Sequence, residues 1–446
     1  MNRMILLFAA ASVAAVSVAA PAVSDVTIVQ QASGKVVISY VLTGDPAVVT
    51  LSLLRRNGAT WTAVPDGNVV SLLGDVNCVV APSAESKTVY WNAPADLTDA
   101  VADEFKAQVE AWPLDALPEF ASVGLTAPCG CPPARRMSFY RSKAAIPGGI
   151  ADRRYKTDTL LLRKICAKDV VWAMGDGSAS GDSGVATRHF VRLTQDYYIG
   201  VYEFTFGQYS NLCANASVLC GKTLNTAACK SGTNSEIGNI LNHAAMAEDI
   251  FTCPLTYIST DNIRGDTQSG PYEIAAGNRK HDVEPGRFLD CLRAASGYAL
   301  AFDLPTEAQW EYACNAGTFT KYYYGTSYDA TKCNAATGTT SLPVGSYDPN
   351  PWDLYDMYGN AAEMCLDAWN KTLGAADKAN PAVDPCGDDA SAATDMYRRP
   401  TRGGSYSSST STDFATTYYR YRMPNGNNPY AHIGFRIACP AVVTVE

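Results

Sequence analysis

Asn350-Pro351-Trp352-Asp353-Leu354-Tyr355-Asp356-Met357-Tyr358-Gly359-Asn360-Ala361-Ala362-Glu363 is an aromatic-rich stretch that ends with two carboxylates flanking a glycine. Glycine lets the backbone turn sharply, so several carbonyls can face one point. Carboxylates at Asp356 and Glu363 facing that point would repel each other unless a cation sat between them. The same texture runs from about residue 150 onward: aromatics, glycines and short polar loops, with few long amphipathic helices. One helix signal stands out upstream, in Leu304-Pro305-Thr306-Glu307-Ala308-Gln309-Trp310-Glu311-Tyr312-Ala313. Thr306 can cap it, and Glu307 places a carboxylate in the first turn, at the positive end of the helix dipole.

Further motifs lie on either side. Upstream are Trp172-Ala173-Met174-Gly175-Asp176, Arg188-His189-Phe190-Val191-Arg192-Leu193 and Tyr197-Tyr198-Ile199-Gly200-Val201-Tyr202-Glu203-Phe204-Thr205. Downstream are Arg402-Gly403-Gly404-Ser405-Tyr406 and Ile433-Gly434-Phe435-Arg436. With the helix and the opening stretch they make seven motifs, in order. Together they resemble the formylglycine-generating enzyme, or sulfatase-modifying factor, family. The resemblance implies an α+β, loop-rich, C-type-lectin-like domain over residues 151–441 with a core of aromatic side chains, which the seven tryptophans and 25 tyrosines suit.

The family's best-known activity oxidises a protein cysteine to formylglycine, using copper(I) held by two thiolates. Copper(I) favours few, soft ligands. The resemblance places those thiolates just after Arg-Gly-Gly-Ser and just before the Tyr419-Arg420-Tyr421-Arg422 segment. Here Ser408 stands at the first position, the second would fall near Tyr418, and no cysteine lies between Cys386 and Cys439. Serine is a hard, neutral ligand, so copper is not expected. Ala362 also stands where the family has a pocket-lining tryptophan. A polar pocket from Ser405, Ser408, Arg420 and Arg422, with Arg402, is the remaining catalytic candidate. Arg402 and Arg436 are expected to pair with buried carboxylates instead, as a planar guanidinium suits. For Arg420 and Arg422 both readings stand. A three-histidine iron site, used by thiol-oxidising relatives, is not expected from His189, His243, His281 and His432, which lie far apart in sequence.

Calcium is the metal that the resemblance favours. It takes about six to eight oxygen ligands, mixing carboxylates with carbonyls. Asp356 and Glu363 match side-chain ligand positions of the family's calcium loop, and Gly359 and Ala361 match its carbonyl positions. A second family site would start at Asn334 and Ala335, but its downstream aspartate is not evident in Ala336-Thr337-Gly338-Thr339.

The N-terminal part differs. Residues 25–112 alternate short β-rich runs with turns, and Phe105, Ala107, Val109 and Ala111 alternate with polar partners. The spacing suggests an all-β sandwich similar to immunoglobulin or fibronectin modules, with Asn57-Gly58 as a type I′ hairpin turn. Residues 113–150, rich in Pro, Ala and Gly and containing Cys129-Gly130-Cys131, read as a linker. Residues 1–24 read as a cleavable export signal: Arg3, an apolar run from Met4 to Val18, then small residues. That context makes the 14 cysteines expected disulfide partners, of unreadable connectivity, five of them in a stapled stretch between residues 207 and 300. The expected location is secreted, periplasmic or cell-surface.

The chain is 47% hydrophobic and 18% charged, with net charge -9. That excludes wholesale disorder and argues against nucleic-acid or anionic-membrane partners, which need a basic surface. No later segment is long and apolar enough to cross a membrane. The expected function is a secreted protein whose catalytically degenerate domain binds or assembles with a protein or glycan. The alternative is an oxidoreductase acting on protein or small-molecule thiols through altered metal chemistry.

Overall fold

The computed structural model describes residues 19–69, 71–97, 104–126, 136–175, 184–185, 188–220, 249–265, 283–335, 340–367, 369, 377–386, 399–407, 415–423 and 429–444. The expected leader core (1–18), the Cys129-Gly130-Cys131 pair, Ser408 and the Ala336–Thr339 stretch lie outside these residues.

The N-terminal region is built from β1 (Ala22–Gln30), β2 (Val36–Thr43), β3 (Ala47–Asn57), β4 (Thr60–Ala63), β5 (Leu72–Gly74), β6 (Cys78–Val80), β7 (Ser83–Trp91) and β8 (Phe105–Pro113), with a short helix α1 (Ala93–Asp96). One sheet has the order β1-β2-β7-β5, and the other has β4-β3-β6 with β8 on β3. Their buried faces share one core, which includes Ile38, Tyr40, Leu42, Leu51, Leu53, Val89 and Trp91. β8 alternates, as its sequence predicts, and β3 is buried continuously through Leu53 because both its faces are covered: Val49, Leu51 and Leu53 lie in this core, and Val48 on the other face packs against the following region. Two details differ from expectation. Strand β1 begins at Ala22, inside the boundary drawn at residue 24, with Ala22 opposite Thr43. At the hairpin, Asn57 pairs with Thr60, so the loop is Gly58-Ala59. There Gly58 alone takes positive φ, +61°, which suits a type II′ turn with glycine first rather than type I′.

The following strands are β9 (Phe120–Gly124), β10 (Met137–Tyr140), β11 (Thr159–Ile165), β12 (Val171–Met174), β13 (Gly184–Val185), β14 (His189–Arg192) and β15 (Tyr197–Gly200). Helices α2 (Phe206–Cys220), α3 (Thr260–Arg264), α4 (Phe288–Ala295) and α5 (Glu307–Asn315) come next. The chain closes with β16 (Ala362–Met364), β17 (Ala382–Val383), β18 (Pro400–Arg402), β19 (Tyr419–Arg422), β20 (Ile433–Gly434) and β21 (Ala438–Pro440). This region is mostly β and loop with few helices. Its strands form a sheet β10-β9-β11-β15-β21, a sheet β13-β19-β18-β16-β20, and a small sheet β12-β14-β17.

The linker reading of residues 113–150 gives way here. β9 lies inside the first sheet, between β10 and β11, with Phe120, Ala121 and Val123 fully buried. A strand buried on both faces reads as a short apolar run without alternation, and Pro, Ala and Gly around it hide the signal. β10 also ties the two regions together. Phe139 N–H donates to the Asn77 carbonyl at 3.0 Å, and Arg141 and Ser142 donate to Asp66 at 2.6 and 2.9 Å. Val48 of β3 shares a core with Leu117, Val123 and Met137.

The expected framework of bridges does not reach six cysteines. Cys166 is an exposed thiol, and Cys253, Cys314, Cys333, Cys365 and Cys439 are buried thiols packed as small apolar side chains.

Candidate functional site

Two groups of buried charges hold the elements that carry the motifs. The first is built on α5. Thr306 caps the helix by accepting from Gln309 N–H, and the Gln309 side chain reciprocates, completing a capping box. Glu307 and Glu311 are four residues apart and so share a helix face. Arg420 on β19 donates from Nε to Glu307 at 2.7 Å and also through Nη2. Arg402 on β18 bonds Glu311 and reaches Glu307 at 3.4 Å. Glu311 also accepts from Gly175 N–H, and Asp367 accepts from Glu307 N–H, both at 2.7 Å. The Arg420 guanidinium lies 4.6 Å from the centre of the Trp369 ring. Burial drives Glu307 upward, but Arg420 and Arg402 outweigh it and hold the carboxyl below its ordinary range. Burial, then the Glu307 charge, pushes Asp367 up to about 7.

The second group surrounds the opening stretch. Arg436 grips both oxygens of Glu363 at 2.5 Å, and Trp310 Nε1 donates to the same carboxylate at 2.7 Å. Glu203 accepts from the Asn360 amide at 2.6 Å and from Ala361 N–H at 2.8 Å. Asp356 accepts from Gly345 N–H at 2.7 Å. Burial lifts Asp356 to about 6 and Glu203 well above the ordinary range, and neighbouring carboxylates add to both. Burial also lowers the Lys156 ammonium, which the Asp356 charge partly offsets.

The sequence expectations fare unevenly against this geometry. Arg402 and Arg436 pair with buried carboxylates, as expected, and Arg420 does the same with Glu307 instead of lining an open pocket. Ser405 is buried and Arg422 half-buried. The cation that separates Glu363 from its neighbours comes from the chain itself, as Arg436. Gly359 takes φ +79°, and a Cβ there would stand 2.3 Å from the Asn334 carbonyl oxygen. The two loops proposed for metal thus touch: Asn360 N–H donates to the Asn334 carbonyl at 2.8 Å. The Ala335 carbonyl accepts from Tyr328 at 2.8 Å.

Asp356 retains acceptor capacity for a hard cation, whereas Glu363 would have to share its oxygens with Arg436. Among the described residues no three His, Cys, Asp or Glu side chains converge as a metal site, so calcium would rest on two carboxylates plus carbonyls. Sequence reasoning missed the roles of Glu203, Glu307, Glu311 and Asp367. The available signal was a carboxylate inside otherwise apolar runs, clearest for Glu203 within Tyr197–Thr205.

Comparison with known proteins agrees with the motifs. Residues 163–441 match the family described as "Sulfatase-modifying factor enzyme 1-like domain", and the chain belongs to that family. It is 34% identical over 160 residues to a formylglycine-generating enzyme of Streptomyces coelicolor, covering 32% of this chain and 48% of that one. It is 35% identical over 138 residues to the serine/threonine-protein kinase pkn1 of Chlamydia caviae, covering 30% of this chain and 21% of that one. The matches thus span about half the length of these relatives or less. Among solved structures, PvdO from Pseudomonas aeruginosa aligns with 63% of this chain and 94% of its own at 16% identity and TM-score 0.39. Among the described residues no helix is long and apolar enough to cross a membrane.

Proposed function

We propose that this sulfatase-modifying-factor-type domain serves in binding or assembly with a protein or glycan partner, and not as a formylglycine-generating oxidase. The observation that carries the reading is Tyr418. It lies near where the resemblance puts the second thiolate, and its phenol donates to the Phe319 and Thr320 carbonyls at 3.1 and 3.2 Å. A phenol held in this way offers copper(I) no soft ligand. The N-terminal sheets serve as an immunoglobulin- or fibronectin-like spacer or binding module, and the C-terminal domain has the C-type-lectin-like form of its family. The chain is exported, with disulfides among cysteines other than the six thiols above. Calcium supports the Asp356–Glu363 loop by relieving carboxylate crowding there. Copper(I) titration with a cysteine-containing sulfatase-motif peptide under oxygen tests the central point. No aldehyde is expected, and turnover that tracks copper loading would overturn the reading.

A further inference from the structure

The sheet β1-β2-β7-β5 turns one face to the core and the other outward. Directly opposite residues on neighbouring strands share a face, so the register fixes what the outward face presents. Val29 on β1 lies opposite Val37 on β2, Val37 opposite Tyr90 on β7, and Tyr90 opposite Leu73 on β5. These four make one apolar row across every strand of the sheet. Val29, Tyr90 and Leu73 are 60%, 55% and 70% exposed, and Val37 is half-buried between its neighbours. The inner rows on either side, with Ile38 and Val89 and with Val36 and Trp91, lie in the core, so the sandwich closes without the outward one. Two residues along, Thr27, Ser39 and Thr88 stand opposite one another and make a parallel row of hydroxyls. The Asp75 carboxylate ends that row beyond β5, where it accepts from Thr88 N–H at 3.4 Å. None of these seven row residues is charged.

We propose that this outward face binds a neutral, extended glycan chain of equatorially linked pyranose rings, as in a β-1,4-glucan or chitin strand. The site rests on the binding role proposed above and gives it a glycan as partner and the N-terminal sheets as its place. Pyranose rings linked in this way have apolar C–H faces and a rim of hydroxyls. The C–H faces suit the Tyr90 ring with Val29 and Leu73 to either side, since tyrosine offers a large, rigid apolar surface. The rim suits the hydroxyl row, with Asp75 as a further acceptor. Strands about 4.8 Å apart spread the apolar row over about 14 Å, room for a few sugar rings. Its three exposed side chains present about 300–400 Å², well under the ~800 Å² per partner of a standard protein interface. That area fits an oligosaccharide and is too small for a second copy. Uncharged rows in a chain of net charge -9 offer an ionic partner no complementary group.

The test titrates the full chain with cellohexaose and with chitohexaose by calorimetry, one arm for each sugar chemistry. Binding of at least one is expected, with affinity steady to within about twofold as salt is raised, because no ion pair is involved. Tyr90→Ala should weaken it about tenfold or more, Leu73→Ser about threefold, and Tyr90→Phe, which keeps the ring, less than about twofold. Unaltered melting shows that these exposed-face variants fold. If neither sugar binds, the site is overturned, while a protein partner, and with it the broader binding role, still stands; the copper titration decides that role separately. Binding at full strength in both Tyr90→Ala and Leu73→Ser puts the glycan elsewhere and overturns the site. Affinity that collapses in salt overturns the neutral ligand. Dimerisation in sedimentation that Tyr90→Ala abolishes assigns the face to a second copy and overturns the proposal as well.

Discussion

The two regions are held in opposite ways. The N-terminal sheets bury an apolar core and leave their ion pairs in solvent: Arg56–Glu104 is about half exposed on both sides. The C-terminal region buries Arg264, Arg402, Arg420 and Arg436 almost completely, and the last three meet glutamates that are equally buried. Regular strands satisfy their own backbone and can close on hydrocarbon alone. A loop-rich chain has few such ladders, so side-chain forks take over the work of fixing one loop against another. Such pairs contribute little net stability when intact and are severe when broken.

That contrast can be broken by substitution. Arg436→Met leaves Glu363 buried without its guanidinium and is expected to remove about 3–5 kcal/mol from the C-terminal transition in denaturant. A loss below about 1 kcal/mol would deny these pairs their structural role. Leu53→Ala should take about 2–5 kcal/mol from the N-terminal region by opening a cavity, with no new pH dependence. Next in size is the effect of pH. Asp356 rises from an ordinary 3.8 to about 6 in the folded state, so its contribution is full below 3.8 and disappears as pH climbs through 6. Glu203 adds in the same direction. Glu307 acts oppositely, since its folded value lies below 4.5 and its contribution fades as acid is added. The C-terminal melting temperature should therefore fall from pH 4.5 to 7 and recover with calcium. A flat profile unaffected by calcium and chelator would exclude both the crowded carboxylates and the ion. The smallest effects separate two glycines. Both take positive φ, so alanine is strained at each by about 1 kcal/mol or more; Gly359→Ala also meets a carbonyl at 2.3 Å and should cost more than Gly58→Ala, whose Cβ would have open space around it.

The same contrast explains what the sequence disclosed. β2 and β8 have one face in the core and one nearer solvent, so their alternation was readable. The α5 cap was readable because Thr306 and Gln309 act locally. β9 was not, because both of its faces are buried. The ionic partners were legible as residue types but not as pairs: Arg402 to Glu311 and Arg436 to Glu363 span 91 and 73 positions, and no local period joins them. The seven motifs located the domain, and the destination of each charge needed the fold.

Trp310 stands between the two groups of charges. Its indole N–H serves Glu363, its ring faces the Arg402 guanidinium at 5.4 Å, and a Cβ at Gly403 would come within 3.2 Å of it. One side chain therefore forms a wall of both charged chambers. Drift in either chamber is constrained by the other, because a smaller residue here would open both at once and a larger one has no room beside Gly403. In a laboratory lineage selected for altered metal or proton binding, this tryptophan should be among the last positions to change, and its replacement should arrive together with changes on both sides.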